Sequence, residues 1–186
     1  MSKSNITKRV IAAALKELMN DTPFNEISVN NIVERIGINR KTFYYHFKDK
    51  YDLVNWIFNS EVVPNLSSSF TLADWPEGSL RFCRYLQHDK AFYTNALNAS
   101  GQNSFSEYLY DYIYKQIQRL CLEACDNRPI NQADFDFIVD FLTRAFFGVL
   151  ITWVKNGMHE SPEIISRRLK FLVVKSTERL LANMSG

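Results

Sequence analysis

Only six Gly and five Pro punctuate 186 residues, and they fall mostly between long stretches that repeat apolar residues at three- and four-residue spacing. A sheet-rich fold needs many tight turns, and tight turns need those two residue types. The chain is therefore expected to be all-α. With 46% of its residues apolar, it can bury a sizeable core, either as one domain or as a small domain fused to a larger one.

Several classes of protein are disfavoured by the same pass. The longest strongly apolar run, Phe146 to Val154, is closed by Arg144 and Lys155 and falls well short of the roughly 20 residues that span a bilayer. No membrane span is expected. The first apolar cluster, Ile11 to Leu15, meets Lys16-Glu17 at once and does not read as a secretion signal, so a cytoplasmic protein is expected. Cys83, Cys121 and Cys125 are an odd number of cysteines and are expected to be reduced, buried thiols. Cys121 and Cys125 lie one helical turn apart, but neither His nor a third Cys stands nearby, so no metal site and no cofactor is expected.

Charge is distributed unevenly. Residues 1–50 hold nine Lys and Arg against five Asp and Glu, while residues 51–186 hold 13 against 15. Arg35, Arg40, Lys41, Lys48 and Lys50 crowd into sixteen residues opposed by Asp49 alone, a concentration suited to a polyanion. A solvated basic face would look the same, so charge needs a second witness.

That witness comes from helix punctuation. Ile6, Val10, Ala14 and Leu18, widened by Ile11 and Leu15, predict an amphipathic helix over about 7–20, stopped by Asp21-Thr22-Pro23. Ser28 can cap a second, short helix whose Val29, Ile32, Val33 and Ile36 face inward, and Gly37 ends it. Asn39 caps a third, from Arg40 to Phe47, with Phe43 and Phe47 buried. Two short helices that meet across three residues form a helix-turn-helix, whose second helix can enter a major groove. Arg40, Lys41 and Thr42, then Tyr44, Tyr45 and His46, would face that groove, and all can donate hydrogen bonds to bases or phosphates. Packing beneath the helix is the alternative for Tyr45. Asn30, at the exposed start of the second helix, is a further candidate for a base or phosphate contact.

Asp49 and Asp52 predict a fourth helix from Tyr51 to about Val63, ended by Pro64, with Val54, Trp56, Ile57 and Phe58 as apolar anchors of a rigid connector. Residues 65–78, with Ser67, Ser68, Ser69, Pro76 and Gly78, read as a loop or weak helix. Helices are expected near 79–88, 90–99 and 104–125, interrupted around His88-Asp89 and Ser100-Gly101. Asn131 caps a long helix ended by Asn156-Gly157, and Ser161-Pro162-Glu163 starts another that runs to about 182. The first carries Phe135, Ile138, Leu142, Ala145, Phe146, Val149 and Trp153 in one wide stripe, with Val139, Leu150 and Ile151 extending it. The second carries Ile165, Leu169, Leu172, Val173 and Leu180. So much apolar surface on one antiparallel pair points to self-association as a homodimer, with burial inside one large helical domain as the alternative.

The stretch Ile27 to Ile38, followed by TFYYHFKDKYDLV at 42–54, resembles the DNA-binding region of TetR-family transcription regulators. The rest of the chain is similar to that family in its run of helices and not in motifs. The segments Ala99 to Phe105 and Trp153 to Gly157 also resemble the subgroup that holds probable dihydroxyacetone-kinase regulators. The resemblance implies a homodimer on double-stranded operator DNA. It implies phosphate contacts by Tyr44 and Lys50, supporting contacts by Ser28 and His46, and base-facing positions for Arg40, Lys41 and Thr42. The resemblance covers about residues 6–55, and with the candidate boundary at 65–78 the chain is expected to divide into a DNA-binding domain at 1–50, a connecting helix at 51–64 and a sensing and dimerising domain at 65–186. It also implies control by a small-molecule effector or a partner protein. Phe82, Tyr85, Phe92, Tyr93, Phe105, Tyr108, Tyr112 and Phe146 are candidates to line an effector cavity, each with core packing as its alternative.

An enzyme is the rival reading, resting on His88-Asp89 or His159-Glu160 as acid–base pairs. Adjacent helical residues point about 100° apart and no nucleophile accompanies either pair, so both read as ordinary helix-end polar residues. A nucleic-acid-independent interaction module is a third reading. Salt separates it from a DNA-binding protein, because binding through several phosphates weakens steeply as salt rises.

Overall fold

The computed structural model describes residues 3–66, 71–99, 104–126 and 129–171, with positions 173, 177 and 179. Ser67, Ser68 and Ser69, the break at Ser100-Gly101, and Leu172 and Leu180 of the last apolar stripe lie outside the described residues. Among the described residues the secondary structure is all helical, as the scarcity of turn residues predicts. The chain forms two compact units, one from residues 1–62 and 91–108, the other from 63–90 and 109–186.

In the first unit, α1 (Lys3–Leu18), α2 (Val29–Arg35) and α3 (Arg40–His46) surround Ile11, Leu15, Met19, Ile32 and Phe43, all buried. The buried face of α1 is the expected one at Ile11, Ala14 and Leu15 and departs from it at the start of the helix. Ile6 and Val10 are about half exposed, and Ala12 and Met19 join the buried set. Steps of four residues advance about 40° around a helix with 3.6 residues per turn, so the early members of the 6, 10, 14, 18 series rotate away from the core. α4 (Lys50–Glu61) buries Leu53, Val54, Ile57 and Phe58. Trp56, expected as an anchor, is half-buried and lies edge-on against Phe47. α7 (Lys90–Asn98) and the first turn of α8 (Phe105–Cys125) complete this unit, where Phe58 packs edge-on against Phe105 and Tyr108.

The second unit holds α5 (Val63–Leu66), α6 (Trp75–His88), the rest of α8, α9 (Gln132–Lys155) and α10 (Pro162–Lys170). Two prolines behave differently from expectation. Pro64 sits in the first turn of α5, and Pro76 in the first turn of α6, where a missing N–H leaves no helical bond unmade. Residues 75–78 are therefore helical and not loop. α6 lies on α10, with the Arg84 guanidinium on a Glu163 carboxylate oxygen at 2.9 and 3.1 Å. Asn131 caps α9 through the N–H of Ala133 at 2.8 Å, and the helix ends where Gly157 turns left-handed at φ +78°. Trp153 Nε1 donates to the Glu160 carbonyl at 3.0 Å and fixes the connection to α10.

α9 is long and apolar enough to cross a membrane by length and composition, because apolar residues continue on both sides of Asp140 and Arg144. The run Phe146 to Val154 understates it. One face of α9 fills the core of its unit with Phe135, Ile138, Leu142, Phe146, Leu150 and Trp153, while Phe137 and Phe141 on another face are more than half exposed.

Candidate nucleic-acid interface

Local hydrogen bonds build a rigid frame from α2 to α4. The Ser28 hydroxyl accepts from the Asn31 N–H at 3.2 Å and the Asn31 amide oxygen accepts from the Ser28 N–H at 2.8 Å, a reciprocal cap for α2. Asn31 carries no cap signal in the sequence, because the reciprocal residue is usually Glu or Gln. Gly37 follows at φ +68°, a left-handed turn that Gly adopts without steric cost, and the Ile38 N–H returns to the Val33 carbonyl at 3.0 Å. Asn39 then caps α3 through the Thr42 N–H at 2.8 Å, and Asp49 caps α4 through the Tyr51 and Asp52 N–H groups, each at 2.8 Å.

This frame leaves one face of α3 in solvent. Arg40, Lys41, Tyr44 and Tyr45 are exposed, and Tyr45, at 82%, does not pack beneath the helix. The Arg40 guanidinium lies over the Tyr44 ring at 5.7 Å and donates to its hydroxyl at 3.3 Å, so the two side chains rise from the helix as a pair. Thr42 is half-buried, with its hydroxyl donated to the Asn39 side chain at 3.1 Å. His46 is half-buried with its ring edge-on to Tyr45. Ser28 and Asn30 are exposed at the start of α2.

The basic cluster divides. Arg35 is paired with Glu17 at 3.0 Å, whereas Lys41 and Lys48 stand exposed, and Lys48 was counted in the sequence only as charge. Lys50 turns inward. Its ammonium donates to the carbonyls of Phe24 and Ile27 at 2.7 Å and of Asn25 at 3.3 Å, and it sits 4.5 Å from the Phe24 ring centroid. Three acceptors match the three donors an ammonium has, and burial lowers its pKa from the ordinary lysine value. In this arrangement Lys50 fastens the segment that leads into Ser28.

The eight aromatic candidates for an effector cavity do not converge. Phe92, Tyr93, Phe105 and Tyr108 belong to the first unit. Phe82, Tyr112 and Phe146 line a void of the second unit together with Trp75 and Gln116, and Tyr85 is half-buried and not part of that lining. The void holds about 20 Å³, space for one water. Gln116 Oε1 is buried in that unit without a hydrogen-bond partner among the described residues. Cys83 and Cys121 are buried as expected, and burial pushes both thiols up to about 12, while Cys125 is half-buried. Among the described residues no cluster of His, Cys, Asp and Glu could hold a metal ion.

Comparison with known proteins agrees with this arrangement. A family model described as bacterial regulatory proteins, tetR family, matches residues 11–57, and one described as transcriptional regulator C-terminal region matches 73–175, more than half of the chain. Over 93 residues the chain is 34% identical to the HTH-type dhaKLM operon transcriptional activator DhaS of Lactococcus lactis subsp. lactis (strain IL1403). That match spans half of this chain and half the length of the relative. The fold is that of a solved dihydroxyacetone kinase operon activator DhaS, with a TM-score of 0.66 over 96% of each chain at 22% identity. A TetR transcriptional regulator from Streptococcus agalactiae 2603V gives 0.59 over 92% of this chain and 95% of the other, at 15% identity.

Proposed function

Because the chain belongs to the TetR family of bacterial regulatory proteins and is a transcriptional regulator, not an enzyme, we propose that it reads a specific operator as a homodimer through the exposed face of α3. The observation that carries this reading is the Arg40–Tyr44 pair, projecting with Lys41 from a helix whose start is locked by the Asn39 cap. Arg40 offers a fork that matches the N7 and O6 of guanine, and the methyl of Thr42 suits a thymine. Lys41 faces base edges beside them, and Lys48 and the Tyr44 hydroxyl supply phosphate contacts, with Ser28, Asn30 and His46 supporting them at the helix ends. Lys50 acts indirectly, by holding the turn before Ser28. Residues 1–50 read DNA, 51–64 connect, and 65–186 sense and dimerise.

The homodimer uses α9 and α10. Phe137 and Phe141 are exposed and stacked, with ring centroids 6.4 Å apart, and an open groove of about 510 Å³ is lined by Gly148, Val149, Thr152, Ile165 and Arg168. Nothing lies within 4 Å of where a Cβ on Gly148 would stand. A mid-helix glycine costs roughly 1 kcal/mol relative to alanine, and here it leaves room for a second helix to approach closely.

Control comes from a small molecule or a partner protein that acts on the second unit. The void among Phe82, Tyr112 and Phe146 has room for one water, which favours the partner protein. The DhaS relative is named as an activator of a dhaKLM operon, and this chain is proposed to activate an operon of that kind. Selection of bound sequences from random duplexes tests the reading. Enrichment of one two-fold symmetric site supports it, and a pool left unchanged contradicts it.

A further inference from the structure

The segment Met19–Ile27 joins α1 to α2, and side chains from two other helices grip it. Lys50 of α4 takes the carbonyls of residues 24, 25 and 27. Asn95, midway along α7, takes the preceding groups: its Oδ1 accepts from the Phe24 N–H at 2.7 Å, and its Nδ2 donates to the carbonyls of Met19 at 3.0 Å and Thr22 at 2.7 Å. These backbone groups lie past the end of α1 and at the first residue of the short turn Phe24–Glu26, where helical hydrogen bonds leave them unpaired. A side-chain amide carries both the acceptor and the two donors that they need. α7 supports the grip with Phe92, whose ring lies 5.5 Å from Lys16 Nζ of α1, and with Tyr93, Ala96 and Leu97, all buried.

We propose that Asn95 is a positioning residue for operator recognition. By fixing the α1–α2 turn it sets where Ser28 and the first turn of α2 stand, which makes α7 a second mechanical input to the DNA-binding head beside α4. The inference rests on the reading of α2 and α3 as the DNA-binding elements. Ile27 is buried at the end of the gripped segment, and Ser28 follows at once, so the turn cannot shift without carrying the cap of α2 with it. Hydrogen bonds to phosphate tolerate only a few tenths of an ångström before they weaken.

The test compares wild type with Asn95→Ala, Asn95→Asp and Asn95→Gln, alone and combined with Ser28→Ala, by affinity for the selected operator across a range of salt. Asp keeps the size and the acceptor but turns a second oxygen toward two carbonyls. Gln keeps the amide one carbon further out and serves if Ala or Asp does not fold. The folded variants are expected to bind the operator about tenfold more weakly, the loss of one to two hydrogen bonds. The slope of log affinity against log salt should not change, because no phosphate-facing cation is removed. Ser28→Ala should then cost less in the Asn95 variants than in wild type, since both act on one cap. Faster exchange of the Phe24 amide reports the released turn separately. Wild-type affinity in a variant whose Phe24 amide exchanges faster would overturn the inference, as would losses that simply multiply with Ser28→Ala. A wild-type protein that prefers no duplex would instead overturn the DNA-binding reading, before any variant is made.

Discussion

Arg40 and Lys50 carry the same charge and sit ten residues apart, yet Arg40 projects into solvent while Lys50 turns inward onto backbone carbonyls. Arg40 is exposed and, among the described residues, paired with Tyr44, so Arg40→Ala should cost about 1–3 kcal/mol on the preferred operator and little on a random duplex. Equal losses on both would make it a backbone contact. Lys50 spends its ammonium on three carbonyls, so Lys50→Met should lower folding stability by about 1–3 kcal/mol, in line with lost charge-assisted bonds. Its salt slope should stay within about half a unit of wild type, whereas Lys48→Ala should lower the slope by about one. A full unit lost in Lys50→Met would return it to the phosphate-contacting set that the family resemblance implies. The thiols make a further residue-scale case. Cys83 and Cys121 are buried with pKa values pushed up to about 12, so at neutral pH they carry almost no thiolate. A thiol reagent should label Cys125 in the native protein and reach the other two only on unfolding. Three equal fast phases would contradict that burial.

Elements whose ends are set by neighbouring residues were legible in the sequence. Ser28, Gly37, Asn39 and Asp49 announce α2, α3 and α4, because a cap acts within three residues of itself. Around Pro76 the sequence leaves loop and weak helix both open, because a proline that starts a helix and one that ends it look alike until the following turn is known. The inward turn of Lys50 and the grip of Asn95 were illegible for a different reason: their partners lie 23 to 26 and 71 to 76 residues away, and no periodicity connects them. α9 shows what periodicity can and cannot say. The stripe correctly marked its buried face, but it included Val149, which is half-buried beside the open groove with α10. Val149→Glu therefore leaves a solvated carboxylate in the isolated chain and an unpaired buried one in the dimer. Sedimentation at micromolar concentration should find wild type dimeric and the variant monomeric, with helix content retained and operator binding lost. A wild-type monomer would contradict the dimer, and a dimeric variant would move the interface elsewhere.

At the scale of the whole molecule, the charge split along the sequence agrees with a basic DNA-binding segment at the start of the chain. α7 and the first turn of α8 pack with residues 1–62 in one compact unit, which joins segments that no linear composition change marks. An α3 that reads bases, a capped frame that holds it and an α9–α10 pair that doubles it make one claim: two identical heads read one duplex together. Two recognition helices on a shared duplex must sit one helical turn apart, about 34–36 Å, or a multiple of that distance. Selecting bound sequences from random duplexes with the purified full-length protein tests this most directly. Two heads on one duplex should enrich an inverted repeat whose half-site spacing is constant and whose affinity falls steeply with salt. A pool that shows no enrichment, or an enriched site without two-fold symmetry, would contradict it.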